Sequence, residues 1–151
     1  MAYLEGANLV AAYGVVPILH ECSVKVEKGE LAVIVGPNGA GKSTIMRVLL
    51  GMLEATSGSV TLDGNDISKL STQERISLGL AFVPQNKNVF PSMTVEENLE
   101  MGAFLRTDDI KKTMEEVYSL FPILYEKRRQ LAEELSGGQR QQVAFGRAMM
   151  T

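Results

Sequence analysis

The sequence predicts an α/β fold in which a glycine-rich loop joins a buried strand to a helix. Three observations support this fold class. Residues 31–35 form a continuous apolar run, a glycine-rich segment follows it at 36–44, and helical patterns replace strand-like ones after Pro84. A chain of 151 residues that is 45% hydrophobic and 22% charged can bury one globular core. The sequence therefore indicates one domain with a helical subdomain inserted after its strands.

The composition argues against two classes of partner or setting. Fifteen Lys and Arg residues against eighteen Asp and Glu residues give a net charge of −3, so no broad positive field attracts nucleic acid. The apolar runs fall far below the roughly 18 to 20 residues that span a bilayer. The single cysteine, Cys22, cannot form an internal disulfide, which is typical of a reducing compartment. We expect a cytoplasmic protein without a nucleic-acid partner.

The first 85 residues are predicted to be mainly strands. Short strands are expected at 9–13 and 22–26, and the apolar run at 31–35 predicts a strand buried on both faces. A helix is expected at 42–50, then a strand at 59–62 that ends in an Asp63-Gly64 turn. A second helix should stop near Gly79, and residues 80–83 should form a second buried strand.

Helices dominate the later part of the chain. Three pairs have the Ser/Thr-x-x-Glu/Gln spacing of a capping box, which predicts a helix start at each: Ser71 with Glu74, Thr94 with Glu97, and Ser136 with Gln139. A helix begun by Asp108 should place four apolar side chains on one face: Ile110, Met114, Val117 and Phe121. Pro122 is expected to end that helix.

Residues 36–43 read Gly-Pro-Asn-Gly-Ala-Gly-Lys-Ser and match the phosphate-loop pattern G-x-x-x-x-G-K-S/T. The pattern lies between a predicted buried strand and a predicted helix, as its chemistry requires. Its glycines let backbone N–H groups approach phosphate oxygens, and the helix N-terminus adds its positive dipole end. Lys42 can reach the β- and γ-phosphates, and the Ser43 hydroxyl can ligate Mg²⁺.

A second glycine pair, Gly137-Gly138, opens the last predicted helix. Ser136 and Gln139 explain this segment as a helix cap, but the cap does not explain the glycines. Each glycine in a helix costs up to about 1 kcal/mol relative to alanine, which indicates a backbone that something must approach closely. A helix N-terminus without side chains suits a phosphate. On these grounds alone, a cap and a second anion site are equally good interpretations.

Three motifs together resemble those of the ATP-binding cassette ATPases. They are Gly-Pro-Asn-Gly-Ala-Gly-Lys-Ser-Thr at 36–44, Val83-Pro84-Gln85, and Leu-Ser-Gly-Gly-Gln at 135–139, in the order and spacing of that family. The likeness runs from about residue 3 to 151. It implies a P-loop NTPase (RecA-like) core with an antiparallel β subdomain and an inserted α-helical subdomain. We then expect the β subdomain and P-loop core at 1–85, the helical subdomain at 86–135 and the signature helix at 136–151.

The resemblance also implies residue roles. The residues of the phosphate loop that would bind ATP are Gly36, Asn38, Gly39, Ala40, Gly41, Lys42, Ser43 and Thr44. Lys42 and Gln85 would be catalytic, and Ser43 with Gln85 would hold Mg²⁺; without the flanking motifs, Gln85 reads as a turn residue. Tyr13 lies where the family stacks a ring on adenine, although a lone strand tyrosine is more often a packing residue. The signature residues Ser136, Gly137, Gly138 and Gln139 would contact the γ-phosphate held by a second ATPase subunit in a head-to-tail dimer.

Within this family, residues 90–102 and Leu120-Phe121-Pro122 look like the ATP-binding subunits of branched-chain amino-acid importers. One departure is Gln85-Asn86-Lys87, where many such subunits carry Glu-Gly-Arg. The likeness implies transmembrane permease subunits as partners, a solute-binding protein as an indirect partner, and a peripheral position on the inner face of the cell membrane. Lipopolysaccharide-export ATPases are an alternative for the substrate.

Other classes of protein fit the sequence less well. Chromosome-maintenance cassettes separate their glutamine from the signature by a long coiled coil, whereas no sustained heptads lie between Gln85 and Ser136. Translation-associated cassettes usually carry two cassettes and basic linkers. A small phosphotransferase that used only the phosphate loop would leave the signature unexplained.

The last predicted helix runs to Met150 with no glycine cap, turn or strand after it, so the C-terminal part of the fold is expected to be missing. By resemblance, the missing elements are a strand ending in a Mg²⁺-coordinating Asp, the adjacent catalytic Glu and the switch His. We expect the full-length protein to be a transport ATPase and the 151-residue chain alone to be inactive.

Overall fold

The computed structural model describes residues 2–151, which form two compact units. The first unit ends at Leu78, and the second covers Gly79–Thr151. The described part of the first unit holds a four-stranded sheet and two helices, and the second unit is helical. None of the helices within residues 2–151 combines the length and apolar character that crossing a membrane requires.

The sheet of the first unit is antiparallel throughout, which confirms the predicted antiparallel β subdomain. Its strands are β1 (Leu4–Tyr13), β2 (Val16–Val26), β3 (Ser57–Leu62) and β4 (Asn65–Asp66), in the order β2-β1-β3-β4. Leu4 of β1 pairs with Val26 of β2 on one side and with Leu62 of β3 on the other. The predicted Asp63-Gly64 turn joins β3 to β4, and both residues have positive φ angles, 48° and 79°, as a two-residue hairpin turn requires.

Two helices complete the first unit. Helix α1 (Lys42–Leu49) contacts β1 and β2 and buries Ile45, Val48 and Leu49. Leu9, Leu19 and Val60 of the strands are also buried. Helix α2 (Thr72–Ser77) follows β4. The core of this unit therefore lies between one face of the sheet and the helix that follows the glycine-rich loop.

The two predicted buried strands at 31–35 and 80–83 do not form, and those predictions are wrong for this structure. Residues 31–35 are irregular, with Leu31 87% and Val35 84% exposed, and residues 80–83 are also irregular. A strand that is buried on both faces depends on hydrogen-bonded neighbours in a sheet, because its unpaired N–H and C=O groups would otherwise be desolvated without partners. Within residues 2–151, no strand pairs with either segment.

The second unit is built from four α-helices and one 3₁₀ turn within its described residues. They are α3 (Val95–Gly102), α4 (Lys111–Leu120), α5 (Pro122–Glu126), a 3₁₀ turn (Ala132–Glu134) and α6 (Gly137–Met149). The core is an apolar cluster to which α3, α4, α5 and α6 all contribute, including Leu99, Val117, Leu124 and Val143. Helix α6 thus packs with the helices that precede it.

Helix α4 differs from its prediction at its start, whereas its predicted end is confirmed, because it stops at Leu120, before Pro122. It begins at Lys111 rather than at Asp108, whose carboxylate is instead held by the Arg106 guanidinium. Pro122 also begins α5, because a first helical position needs no N–H donor. The predicted apolar face is confirmed: Val117 is fully buried, and Ile110, Met114 and Phe121 pack against the core.

All three predicted capping boxes are present. At the starts of α2, α3 and α6 the cap side chain accepts from the N3 backbone N–H, and the N3 side chain accepts from the cap N–H. The Ser71 bond to Glu74 lowers the pKa of that carboxyl, and the Thr94 bonds do the same for Glu97. Local hydrogen bonds therefore fix where these helices begin.

Two glycines allow α3 and α6 to pack closely. A Cβ added at Gly102 would overlap the carbonyl group of Arg147 on α6. A Cβ added at Gly146 would lie 2.8 Å from Leu99 Cδ2 and 2.9 Å from Val117 Cγ1. Side chains at either position would force the helices apart, so glycine is a packing requirement at this contact.

Candidate functional site

The glycine-rich loop of the first unit wraps around the side chain of Lys42. The Lys42 ammonium donates hydrogen bonds to the carbonyl oxygens of Gly36 and Pro37, both over 2.7 Å. Gly39 and Gly41 have φ angles of 86° and 85°, which side-chain-bearing residues rarely adopt. The loop residues 36–40, which include the predicted binding residues Asn38 and Ala40, are exposed. The loop therefore presents an exposed backbone with a lysine charge at its centre.

The N-terminus of α1 differs from the capped helix starts elsewhere in the chain. Its N-cap is Gly41, which offers no side-chain hydrogen bond, and helical bonding starts with the Ile45 N–H donating to the Gly41 carbonyl. The N–H groups of Lys42, Ser43 and Thr44 precede that bond, at the positive end of the helix dipole. Ser43 is exposed, whereas Thr44 is buried at 7% exposure. Thr44 can therefore contact a ligand through its backbone N–H rather than through its side chain.

Tyr13 lies at the end of β1 and is tied to α1. Its hydroxyl accepts a hydrogen bond of 2.9 Å from Arg47 Nη1, and 44% of the residue is exposed. The structure thus links this predicted adenine-stacking residue to the helix that follows the phosphate loop. The ring remains accessible to a planar ligand.

Gln85 lies in the second unit, in an exposed bend at 85–87. Asn88, directly after the bend, donates a hydrogen bond of 2.7 Å from Nδ2 to Gln141 Oε1 on α6. The bend is therefore connected to the first turns of the signature helix. Lys87 within it has a positive φ of 52°.

The signature residues surround the start of α6. Ser136 Oγ accepts from the Gln139 N–H, and Gln139 Oε1 accepts from the Ser136 N–H, so both side chains are used in the cap. Gly137 and Gly138 are exposed, and a Cβ added at either would meet nothing within 4 Å. Packing within the described chain does not require these two glycines, in contrast to Gly146.

The residues present fit a nucleotide with Mg²⁺. The Lys42 ammonium and the α1 amides suit phosphate oxygens, because both place positive charge and N–H donors at one loop. The first unit offers the Ser43 hydroxyl, a ligand type that Mg²⁺ accepts together with phosphate oxygens. Gln85, which belongs to the second unit, offers an amide oxygen, another such ligand type. Within residues 2–151, no three His, Cys, Asp or Glu residues gather as a metal site.

Two buried polar residues of the fold could not be predicted from the sequence. Arg75 is 3% exposed and Asn98 is fully buried, yet both are polar residues in helical segments that the pattern alone leaves on a solvent face. Gly146 could have been found, because a glycine inside a strongly helical pattern usually has a packing reason.

Comparisons with known proteins identify the family of the chain. A family model described as "ABC transporter" matches residues 19–151. The high-affinity branched-chain amino acid transport ATP-binding protein BraG of Pseudomonas aeruginosa is 43% identical over 140 residues, which is 92% of this chain and 60% of that protein. The sn-glycerol-3-phosphate import ATP-binding protein UgpC of Ruegeria pomeroyi is 40% identical over 156 residues, covering 99% of this chain and 42% of that protein. The chain thus spans about three fifths or less of these curated relatives.

A solved structure supports the fold. The crystal structure of a nucleotide-free ATP-binding cassette from an ABC transporter superposes with a TM-score of 0.86 at 31% identity. The superposition covers 99% of this chain and 65% of that chain.

Proposed function

The chain belongs to the ABC transporter family, and we propose that it binds ATP with Mg²⁺ as part of an ATPase subunit that drives solute import across a membrane. The observation that carries this proposal is the glycine-rich loop folded around Lys42 and leading into α1, whose N-terminus has no side-chain cap. Such a loop binds phosphates through backbone N–H groups and a single ammonium.

In this proposal Lys42 exchanges its two carbonyl partners for oxygens of the β- and γ-phosphates. The Ser43 hydroxyl would be the Mg²⁺ ligand from the first unit, and the family resemblance implies that the Gln85 amide oxygen of the second unit would be another. The metal would neutralise charge on the transferred phosphate. Tyr13 stacks on the adenine ring, steadied by its hydrogen bond from Arg47. Gln85 and Lys42 are the two groups on this chain proposed to act in hydrolysis.

We further propose that α6 acts on a nucleotide held by a second copy of the ATPase. The open space around Gly137 and Gly138 supports this role, because a phosphate can approach the helix backbone there without displacing a side chain. Ser136 and Gln139 keep the helix start in place through the capping box and contact the γ-phosphate. Two subunits in head-to-tail arrangement would then close around two ATP molecules.

For the transported solute, we propose branched-chain amino acids. The identity of 43% to BraG supports this choice, and the 40% identity to UgpC favours sn-glycerol-3-phosphate as the second candidate. The partners are two transmembrane permease subunits and, through them, a solute-binding protein. Attachment to the permease places the ATPase on the cytoplasmic face of the membrane.

ATP binding is tested by titrating the wild-type chain and Lys42→Ala with labelled ATP and Mg²⁺. Loss of the charge-assisted contact should weaken binding by roughly 1.5 to 3 kcal/mol, or about 10- to 150-fold. Lys25→Ala removes an exposed strand lysine of the same unit and should bind ATP as the wild type does. Equal affinity of wild type and Lys42→Ala would contradict the proposed site.

The solute is tested in cells that carry the whole transporter. Uptake of labelled leucine should fall to background when Lys42→Ala replaces the wild-type ATPase, and unlabelled isoleucine or valine should compete. Competition by sn-glycerol-3-phosphate, without competition by valine, would favour the second candidate instead.

A further inference from the structure

Arg75 of α2 is a charged side chain buried to 3% exposure, and its hydrogen bonds all go to backbone carbonyls. Nη1 donates to the carbonyls of Val48 and Leu49, each over 2.8 Å. Nη2 donates to Ser68 over 2.8 Å, and Nε to Leu70 over 3.0 Å. Burial lowers the pKa of Arg75, and the nearby Asp66 charge opposes that shift. A buried guanidinium is tolerable because these bonds replace its hydration.

Two of the four acceptors lie at the C-terminal end of α1, where a helix has unpaired carbonyls and the negative end of its dipole. The Val48 carbonyl also accepts from the Gly51 N–H over 3.0 Å, and the Met52 N–H donates to Arg47 over 2.8 Å, which closes the helix with a Schellman turn. The guanidinium adds charge-assisted bonds to that turn. It therefore fixes the end of α1 opposite to Lys42 and Ser43.

The other acceptors connect this end of α1 to the sheet. Ser68, whose carbonyl holds Arg75, accepts from the Val60 N–H of β3 over 2.8 Å, and Asp66 Oδ1 accepts from the Ser68 N–H over 2.8 Å. The Ser68 bonds lower the pKa of Asp66. Arg75 thus joins the β3–β4 hairpin and the loop after it to the last turn of α1.

The Arg75 guanidinium occupies the space beside Gly51 that a side chain at that position would need. Its φ is 73°, and a Cβ built on it would lie 3.0 Å from Arg75 Nε and 3.2 Å from Cζ. The side chain passes directly over the glycine that ends α1. The Arg75 side chain and the glycine that ends α1 are therefore in close contact.

We propose that Arg75 is a positioning residue for nucleotide binding. It holds the C-terminal carbonyls of α1 against the loop that follows the β3–β4 hairpin. It thereby fixes where the N-terminal end of the same helix places Lys42 and the first-turn amides. An eight-residue helix is about 12 Å long and rigid, so a shift at Val48 and Leu49 is transmitted to the phosphate loop. Small misplacements of a binding group are costly in affinity. This inference rests on the proposed ATP site.

The test measures ATP affinity and local hydrogen exchange in the 151-residue chain carrying Arg75→Gln, Arg75→Lys or Lys69→Gln. Lys69→Gln removes an exposed cation from the same segment and is the matched control. All measurements are made at a temperature where circular dichroism shows each variant folded. We expect Arg75→Gln to bind ATP about 3- to 30-fold more weakly, Arg75→Lys to lie between it and the wild type, and Lys69→Gln to match the wild type.

Hydrogen exchange separates positioning from general stability. In Arg75→Gln the Ile45 and Met46 amides of α1 should exchange faster, while amides of β1 and β2 keep their protection. A lower melting temperature with unchanged ATP affinity would mean that Arg75 only stabilises the fold and would overturn the proposal. So would failure of both Arg75 variants to fold. If the wild type and Lys42→Ala bind ATP equally, the proposed ATP site itself is wrong. If Lys42→Ala loses binding but both Arg75 variants bind ATP normally, the ATP site stands and only the positioning role of Arg75 is rejected.

Discussion

Asn98 and Phe90 exchange two hydrogen bonds: the Phe90 N–H donates to Asn98 Oδ1 over 2.8 Å, and Asn98 Nδ2 donates to the Phe90 carbonyl over 3.0 Å. Nδ2 also lies within hydrogen-bond distance of the Met93 and Thr94 carbonyls. Asn98 is fully buried at the centre of α3. One side-chain amide therefore holds the segment between the Gln85 bend and α3.

Replacing Asn98 with Ala should destabilise the chain by about 2 to 3 kcal/mol, because several buried backbone groups lose their partners at once. Chemical denaturation of wild type and variant measures this difference. Asn88→Ala is the matched control, since it removes one amide whose side-chain bond is at the surface, and it should cost less than about 1 kcal/mol. Equal stability of Asn98→Ala and wild type would show that the four contacts are unimportant.

Alanine should have opposite effects at two glycines of α6. Gly146→Ala forces a methyl group against Leu99 and Val117 and should cost about 1 to 3 kcal/mol. Gly138→Ala meets nothing within 4 Å, so the better helix propensity of alanine should add up to about 1 kcal/mol. Denaturation midpoints compare the two variants. A destabilising Gly138→Ala would show that the first turn of α6 needs glycine for its own conformation.

Gly138→Asp should abolish ATP-dependent dimerisation of the whole protein while leaving ATP binding by the monomer intact. The reason is repulsion: a carboxylate at this helix start would face the γ-phosphate of the nucleotide on the other subunit. Size-exclusion chromatography with and without a non-hydrolysable ATP analogue measures the effect. A dimer that persists undiminished would identify the glycine pair as a cap only.

Acid should weaken the contact between the segment before α4 and the end of α6. The bond from Arg106 lowers the pKa of Asp108 from 3.8 to about 2, and Arg106 Nη1 also donates to the Met150 carbonyl over 3.2 Å. Because the folded pKa lies below the unfolded one, the stabilisation is complete above about pH 4 and is lost as the pH falls towards 2. The free energy of unfolding, measured against pH, should fall less steeply between about pH 4 and 2 in Asp108→Asn than in the wild type. An identical slope would disprove the coupling.

The 151-residue chain should release phosphate from ATP at least about 10²-fold more slowly than purified BraG of P. aeruginosa. The chain covers 60% of BraG, and we propose that the catalytic glutamate implied by the family resemblance lies in the remainder of the protein. A positioned general base contributes about 10² to 10⁴ in rate. A phosphate-release assay at saturating ATP makes the comparison. Turnover comparable to the relative, and lost on Lys42→Ala, would place the catalytic groups within this chain.

Local patterns predicted the parts of the structure that depend on local interactions. The capping boxes at Ser71, Thr94 and Ser136 and the Asp63-Gly64 turn need only nearby hydrogen bonds and permitted φ angles, and all of them form. The apolar face of α4 follows from helical periodicity. These features are readable because each is set within a few residues.

Features that depend on distant partners were missed. The run at 31–35 has the composition of a buried strand, but a ladder is a property of two segments, and the apolar run identifies only one. Arg75 meets Val48 from 27 positions away, and no local pattern shows where an arginine finds free carbonyls. The contact between Gly102 and Arg147 likewise exists only after α3 and α6 have packed.

The exposed apolar segment before the phosphate loop has the composition of an aggregation-prone stretch. Leu31, Val33 and Val35 are 87%, 72% and 84% exposed, and the five residues from Leu31 carry no charge and no proline. Short uncharged segments rich in β-branched residues readily stack between copies as dry, interlocked cross-β layers. The net charge of −3 is spread over the whole chain and does not protect this stretch. We therefore expect these five residues, rather than the average surface, to be where copies of this chain first associate.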